Sequence, residues 1–432
     1  MTETIFALST VPGLSAISII RISGPSAFSV IRKITKGKIP KSRYASLKKI
    51  RWKGEVIDQC IVLTFKRNES YTGEQTVEIH CHGSIAVIEK LVSVLVECGS
   101  VLKLRPAEEG EFTRQAFYNG KMDLIQVEGL SDLLRAETEA QRRLSLDQLE
   151  GGFSKKIHTW KDKITTILAF LEAGIDFSDQ DLGQIQVLDS ISDLLDSLKR
   201  ELNVYQDIKS IKNGLDIAII GPPNVGKSTF INYLAKREVS LTSRIAGTTR
   251  DIIESKIQLK GVFVTFLDTA GLRETKDTIE KKGIAKLKKR LKTTIFNIFL
   301  INNESDLKKI GVKVGRDDIV FKAKADKGNP TSFRGISGKT GFGVKEAIDL
   351  IETRIPKFNI SDGLISTHRQ KMKVNELIIL LSDLRNDVET GLEIELLAEK
   401  TRHAQKLLEE LIGKIDTEEV LGIIFKNFCI GK

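Results

Sequence analysis

"GPPNVGKST", residues 221–229, is the stretch that decides the fold. Gly221, four residues, then Gly226, Lys227 and Ser228 is the spacing of a phosphate-binding loop. The apolar run from Leu215 to Ile220 ahead of it reads as a buried strand, and Thr229 to Ala235 behind it suits a helix. In that setting backbone N–H groups wrap a phosphate, Lys227 neutralises the outer phosphates, and Ser228 offers a hydroxyl to magnesium. Asn224, Val225 and Thr229 complete the nucleotide-facing loop.

Three further elements follow at intervals that imply a guanine-nucleotide hydrolase. "IAGTTRD", residues 245–251, supplies Thr249 as a second magnesium ligand able to report on a γ-phosphate. With Ser243, Arg244, Ile245, Ala246, Gly247 and Thr248 it forms the expected switch contact to GTP. "FLDTAG" ends an apolar run with Asp268, Thr269, Ala270 and Gly271, the acidic group on the magnesium side and the γ-phosphate contact. "AKAD", 323–326, and "ISGKTG", 336–341, read as the base-recognition pair: Lys324, Asp326, Ser337, Gly338 and Lys339. Asp326 can accept hydrogen bonds from guanine N–H groups that adenine lacks.

Two positions depart from the common pattern. Leu272 stands where a water-orienting glutamine is usual, which leaves Glu274, Asp277 and Glu280 as candidates. Ala323 stands where an asparagine would lock the base and brace the phosphate loop. Its loss weakens affinity by about 1–3 kcal/mol if a buried polar partner is left unsatisfied.

At 432 residues the chain should hold two to four domains. The 41% apolar and 29% charged composition is ordinary for a globular protein, and the net charge of +10 permits RNA contact. Cys60, Cys81, Cys98 and Cys429 show no paired spacing, so no disulfide framework or zinc site is indicated. With no run of 18 apolar residues and no signal-peptide pattern at the start, a cytoplasmic protein is expected.

Residues 1–118 alternate short strand-like runs with helical stretches, one of them Ser84 to Glu97 with Ile85, Ile88, Leu91, Val92 and Leu95 on one face. Helical stripes then occupy 119–212: Ile157, Trp160, Ile164, Ile167, Leu168 and Leu171, then Ile191, Leu194, Leu195, Leu198, Leu202 and Tyr205. Strand and helix alternate over 213–357, and long helical patterns return over 358–432. The expected fold class is therefore α/β plus α: an N-terminal α/β domain, then a helical bundle in two halves. A P-loop, Ras-like GTPase domain with a mostly parallel sheet is inserted between the halves.

The combination "IIRISGP", "SYTGEQTVEIHCHG", "GEFTRQAFYNGKMDLIQVE", "GIDFSDQDL", "GPPNVGKS", "AGTTRD", "DTAGLRE" and the final "FCIGK" resembles the bacterial tRNA-modification GTPase MnmE (TrmE) family across nearly the whole chain. The resemblance implies a homodimer joined through the N-terminal domain. It also implies a flavoprotein partner, MnmG (GidA), in a heterotetramer, with modification of carbon 5 of the wobble uridine of certain tRNAs. Formyl- or methylene-tetrahydrofolate would be the one-carbon partner, held by Arg21, Glu78, Lys121 and Lys432. Potassium, coordinated by Asn224, Ser243, Ile245 and Thr248, would activate GTP hydrolysis through pairing of two GTPase domains, with Mg2+ on Ser228 and Thr249. Glu280 would orient the attacking water, and Cys429 would lie near the folate chemistry. Leu14 and Ser15 replace the family's usual Arg-Gly, and Glu109 replaces a proline.

The competing class is a regulatory RNA- or ribosome-associated assembly GTPase without modifying activity, which the nucleotide motifs alone would fit. A dynamin-like membrane GTPase would need an amphipathic paddle, and none is legible. Glu78, His80 and His82 alternate along one strand face, but no cysteine or carboxylate pattern nearby adds a further ligand, and a metal site is not expected.

Overall fold

The computed structural model describes residues 3–176, 184–238, 254–268, 294–310, 313–327, 333–356, 364–415, 418–426 and 428–432. They form two compact units, one of residues 1–134, 146–194 and 379–432, the other of 135–145 and 195–378.

The first unit carries a six-stranded sheet. Its strands are β1 (Thr4–Leu8), β2 (Ser15–Ser23), β3 (Ser46–Trp52), β4 (Glu55–Phe65), β5 (Thr76–Gly83) and β6 (Leu104–Pro106), in the order β3-β4-β5-β2-β1-β6. All neighbours are antiparallel except β1 and β6. Period-two alternation divides the faces. Ile20, Ile22, Val77, Ile79, Cys81 and Val62 are buried beneath the helices Ala27–Thr35 and Ile85–Leu102, whereas Arg21, Glu78 and His80 point to the opposite face.

The helix expected over 84–97 runs on to Leu102. Ser84 caps its start by accepting from the Val87 N–H at 3.2 Å, and Lys103 ends it in a left-handed conformation. Its buried stripe is Leu91, Val94, Leu95 and Cys98, with Ile88 and Val92 flanking, while Ile85 is 60% exposed. Val87 and Ile88 of the same turn pack on the core, so the exposure is confined to the first helical residue, which periodicity cannot register.

Helix Gly152–Asp176 buries Ile157, Trp160, Ile164, Ile167 and Leu171, five of the six residues of the expected stripe, with Leu168 half-buried. It packs against helix Ile394–Ile412, whose inner face is Leu397, Ala404, Leu407, Leu408 and Leu411. Lys161 donates to Glu409 at 2.6 Å and Arg402 to Glu172 at 2.8 Å across this seam. Segments flanking the phosphate loop in sequence thus share one helical core. The helix Gln184–Asn213 contributes residues to both units, and Ile191, Leu194, Leu195, Leu198 and Tyr205 are buried along it.

The second unit is built on β7 (Leu215–Ile220), β8 (Glu254–Leu259), β9 (Val262–Asp268), β10 (Asn297–Ile301), β11 (Ile319–Ala323) and β12 (Arg334–Ile336), ordered β12-β11-β10-β7-β9-β8. Only the β8–β9 pair is antiparallel. β9 is buried at every position, as expected of a strand covered on both sides. Ile217, Ile219, Phe230, Phe266, Leu300, Phe321 and Ile351 fill the core. Strand order reverses at β7, so the crevice outside its carboxyl end is where such a sheet takes a ligand. This is the doubly wound GTPase sheet expected from the phosphate loop.

Trp160 is 1% exposed and meets Phe153 edge-on, with ring centroids 5.9 Å apart. Trp160→Ala should lower unfolding stability by about 3–5 kcal/mol in urea titration. A loss below about 1 kcal/mol would show that the helical core does not depend on this packing.

Candidate functional sites

The chain leaves β7 at Ile220 through a turn with Asn224 at φ +56° and Gly226 at φ +114°. A Cβ at Gly221 would lie 2.3 Å from the Leu300 carbonyl oxygen, so the close approach to β10 requires glycine there. Lys227, buried at the start of helix Lys227–Glu238, donates from Nζ to the carbonyls of Gly221 at 2.9 Å and Pro222 at 3.1 Å. Its ammonium is thereby held across the loop, at a helix N-terminus that favours anions. Ser228 Oγ donates to Asp268 Oδ2 at 2.6 Å, joining the helix to the end of β9. Hydroxyl and carboxylate oxygens brought together beside a phosphate cradle are the hard donors magnesium prefers, so the residues present fit that ion.

Beside the loop lies a cavity of about 230 Å³ lined by Phe230, Leu300, Ala323, Lys324, Asp326 and the Ser337–Lys339 segment, among others. Val225, Phe230, Leu300, Ala323 and Ile336 give it apolar walls, and Asp326, also in its lining, is exposed. A Cβ on Gly338 would come within 2.7 Å of the Phe230 backbone, which explains why the second base loop can lie directly on the phosphate-loop helix. Lys324, at φ +57°, donates from Nζ to the Asn224 carbonyl at 2.8 Å. That bond supplies the brace between base and phosphate loops which the Ala323 position lacks. Among the described residues, the buried side-chain polar atoms without a hydrogen bond belong to Ser9, Arg114 and Ser154, none of which lines this cavity.

Asn224, Val225, Gly226, Lys227, Ser228, Thr229, Asp268, Lys324, Asp326, Ser337, Gly338 and Lys339 are therefore gathered around one crevice. Ser243, Arg244, Ile245, Ala246, Gly247, Thr248, Thr249, Thr269, Ala270, Gly271 and Glu280 lie outside the described residues.

The second constellation is on the open face of the first sheet. The β2–β5 register sets Arg21 opposite Glu78. Arg21 donates from Nε and Nη2 to Glu78 Oε1, both at 3.0 Å, and from Nη1 to the Gly431 carbonyl at 3.2 Å. Its guanidinium also lies 5.6 Å from the ring centroids of both Tyr71 and Phe112. Tyr71 is fixed in turn by Thr113, with 2.8 Å between their hydroxyls, and burial pushes its phenol up.

The last residues of the chain close over this pair. Phe428 is buried against Phe425, Ile430 bridges Glu109, and Gly431 has φ +105°. A Cβ on Gly431 would meet the Leu8 carbonyl oxygen at 2.5 Å, so the chain passes β1 only as glycine. The Lys432 amine is held below the usual lysine range by burial first and the Arg21 charge second, while Glu78 acts in the opposite sense. Cys429 is exposed.

Arg21, Glu78 and Lys432 thus form one electrostatic group. Lys121 is exposed and donates to the Asn68 carbonyl, joined to that group by no hydrogen bond or ion pair among the described residues. His80 pairs with Glu78 at 3.3 Å and His82 with Asp58 at 2.8 Å. Among the described residues no cluster of three or more His, Cys, Asp or Glu could hold a metal ion. Tyr71, Phe112 and Gly431 escaped sequence reasoning. Their signal was only proximity in the fold to an arginine, which no local pattern carries.

A family model described as "MnmE helical domain" matches residues 124–429, and one described as "GTP-binding protein TrmE N-terminus" matches residues 4–121. The tRNA modification GTPase MnmE of Cereibacter sphaeroides (strain ATCC 17029) is 40% identical over 440 residues, covering 100% of both chains. The protein of that name from Roseobacter denitrificans is 40% identical over 439 residues with the same coverage. The solved FeoB G-domain of Methanococcus jannaschii overlaps 32% of this chain and 96% of its own, at 19% identity and a TM-score of 0.23. The fold assignment therefore rests on the strand order and not on that overlap.

Since Arg21 depresses the Lys432 amine and Glu78 opposes it, the two neutral variants should move it in opposite directions. In NMR titrations of the lysine amine, Arg21→Gln should raise the Lys432 pKa toward the ordinary lysine value. Glu78→Gln should lower it further. Shifts of the same sign, or none, would mean that the last residue does not share this site in solution.

Proposed function

The chain belongs to the tRNA modification GTPase MnmE family, and from that premise we propose that it is a cytoplasmic GTP hydrolase acting in tRNA modification. With a flavoprotein partner (MnmG, GidA) it adds an aminomethyl or carboxymethylaminomethyl group to carbon 5 of the wobble uridine, drawing the one-carbon unit from a tetrahydrofolate derivative. The observation that carries this reading is the presence of two anion-receiving sites in one chain. One is the phosphate cradle of Lys227, Ser228 and Asp268, and the other is the Arg21–Glu78–Lys432 group. An assembly GTPase has use for the first and none for the second.

In the nucleotide site Asp326 accepts from guanine N–H groups, and Lys227 with the helix N-terminus balances the phosphate charge. Ser228 and Thr249 would hold magnesium, which supplies charge neutralisation at the phosphates. Asn224, Ser243, Ile245 and Thr248 would hold potassium, whose charge does the work of an arginine finger when two GTPase domains pair in the homodimer. Glu280 orients the attacking water in place of the residue that Leu272 cannot supply.

In the N-terminal site the Arg21 guanidinium and the half-buried Lys432 suit the anionic folate tail, and the Glu78 carboxylate suits pterin N–H donors. Lys121 would add a further cation for the tail. Cys429, exposed three residues before Lys432, takes part in the one-carbon chemistry. We assign residues 1–118 to dimerisation and folate binding, 119–212 and 358–432 to the helical domain, and 213–357 to the GTPase domain.

The test is mass spectrometry of wobble nucleosides in tRNA from cells lacking the gene and complemented with variants. Wild type should restore the modified uridine, while Arg21→Ala and Glu280→Ala should not. The purified Glu280→Ala protein should still bind GTP but turn it over about 100-fold more slowly. Full modification with either variant, or none with wild type, would overturn the reading.

A further inference from the structure

The net charge of +10 is concentrated in one short stretch of the chain. Residues 32–53 hold ten lysines and arginines and no acid, so 57 basic and 57 acidic residues remain elsewhere and cancel. Twenty-two residues account for the whole imbalance.

In the fold this stretch wraps one edge of the first sheet. It runs from the last turn of helix Ala27–Thr35 through a loop into β3, the edge strand. Lys33 lies 5.2 Å over the Trp52 ring, which draws the helix end and the strand together. Along β3, Lys48 and Trp52 share the helix-covered side with buried Ile50, while Lys49 and Arg51 occupy the opposite side. Tyr44, before the strand, is 64% exposed.

The neighbouring acids are already engaged. Glu97 pairs with Lys53 at 2.8 Å, Glu55 with Lys90 at 3.3 Å, and Asp58 with His82 at 2.8 Å. Among the described residues no carboxylate pairs with Lys36, Lys38, Lys41, Lys48, Lys49 or Arg51. Lysines on an edge strand guard against pairing with another sheet, but a couple suffice for that. Here the cations continue onto the loop and the helix end, where no strand edge needs protection.

We propose that this edge is a docking surface for the phosphate backbone of a structured RNA. Its identification as tRNA rests on the function proposed above. Seven strand residues span about 20 Å, enough to follow several phosphates along one side of a groove. A ridge with cations on both sides can engage two backbone strands at once, whereas a planar lipid surface meets only one side of it. The exposed Tyr44 adds a ring on which a base or sugar can stack.

The experiment uses full-length protein without nucleotide, a fluorescently labelled unmodified tRNA transcript, and a sodium chloride series. The combined variant K36Q/K48Q/K49Q/R51Q should bind at least tenfold more weakly than wild type at low salt. The slope of log Kd against log salt should shrink by about 3, since each lost phosphate contact removes about 0.7–0.9. Its GTP hydrolysis without tRNA should match wild type, because none of the four lies in either site. Unchanged affinity and slope would overturn the proposal. So would loss of binding to phosphatidylserine vesicles with tRNA binding intact. Because binding is read directly, failure of this surface is distinguishable from failure of the modification reading. The latter appears as an unmodified wobble uridine while tRNA binding at this edge persists.

Discussion

A single 2.6 Å hydrogen bond, from the Ser228 hydroxyl to the Asp268 carboxylate, ties the first turn of a helix to the end of the strand beside it. It requires that β7 and β9 be neighbours and parallel, so that both end on the same side of the sheet. Once they do, the loop between β7 and the helix has to turn within six residues. The positive φ of Asn224 and Gly226 and the close pass of Gly221 under Leu300 all follow from that requirement. The nucleotide crevice is the consequence of this geometry.

The segment 323–326, proposed to read the base, shows how a lost side chain can be offset from the next position. An asparagine at 323 would make a polar link from inside the pocket. With Ala323 in its place the wall becomes a buried methyl group, and Lys324 makes the link to Asn224 from the outside, through an exposed ammonium. A solvent-facing bond of this kind contributes less than a buried one and leaves no orphaned donor when it breaks. The substitution thus removes stabilisation without the penalty of an unsatisfied buried group.

Much of this was legible in the sequence, for identifiable reasons. The phosphate loop needs glycines at fixed spacing, so its pattern survives as text. The helical stripe containing Trp160 reads correctly because a long helix repeats its period often enough to be recognised. Ile85 reads wrongly because a side chain at the first helical position leans back past the helix start, away from the core on which Val87 and Ile88 pack. The group around Arg21 was half legible: Glu78 and Lys432 came from motif resemblance. The rings of Tyr71 and Phe112 and the threading of Gly431 past Leu8 depend on contacts between residues far apart in the chain, 410 positions in the case of Arg21 and Gly431. No local spacing encodes such contacts. The concentration of charge at 32–53 was countable in the sequence, but only the fold shows that it falls on an edge strand and an adjoining helix end.

The central claim is that the crevice beside β7 reads guanine through the Asp326 carboxylate. The most direct measurement is the hydrolysis of GTP and of xanthosine triphosphate by wild type and Asp326→Asn, compared as kcat/KM. Exchanging an acceptor for an amide donor should cost GTP roughly 100-fold or more and favour the xanthine nucleotide, since a polar site penalises a mismatched partner. Equal use of GTP by both proteins would contradict the account.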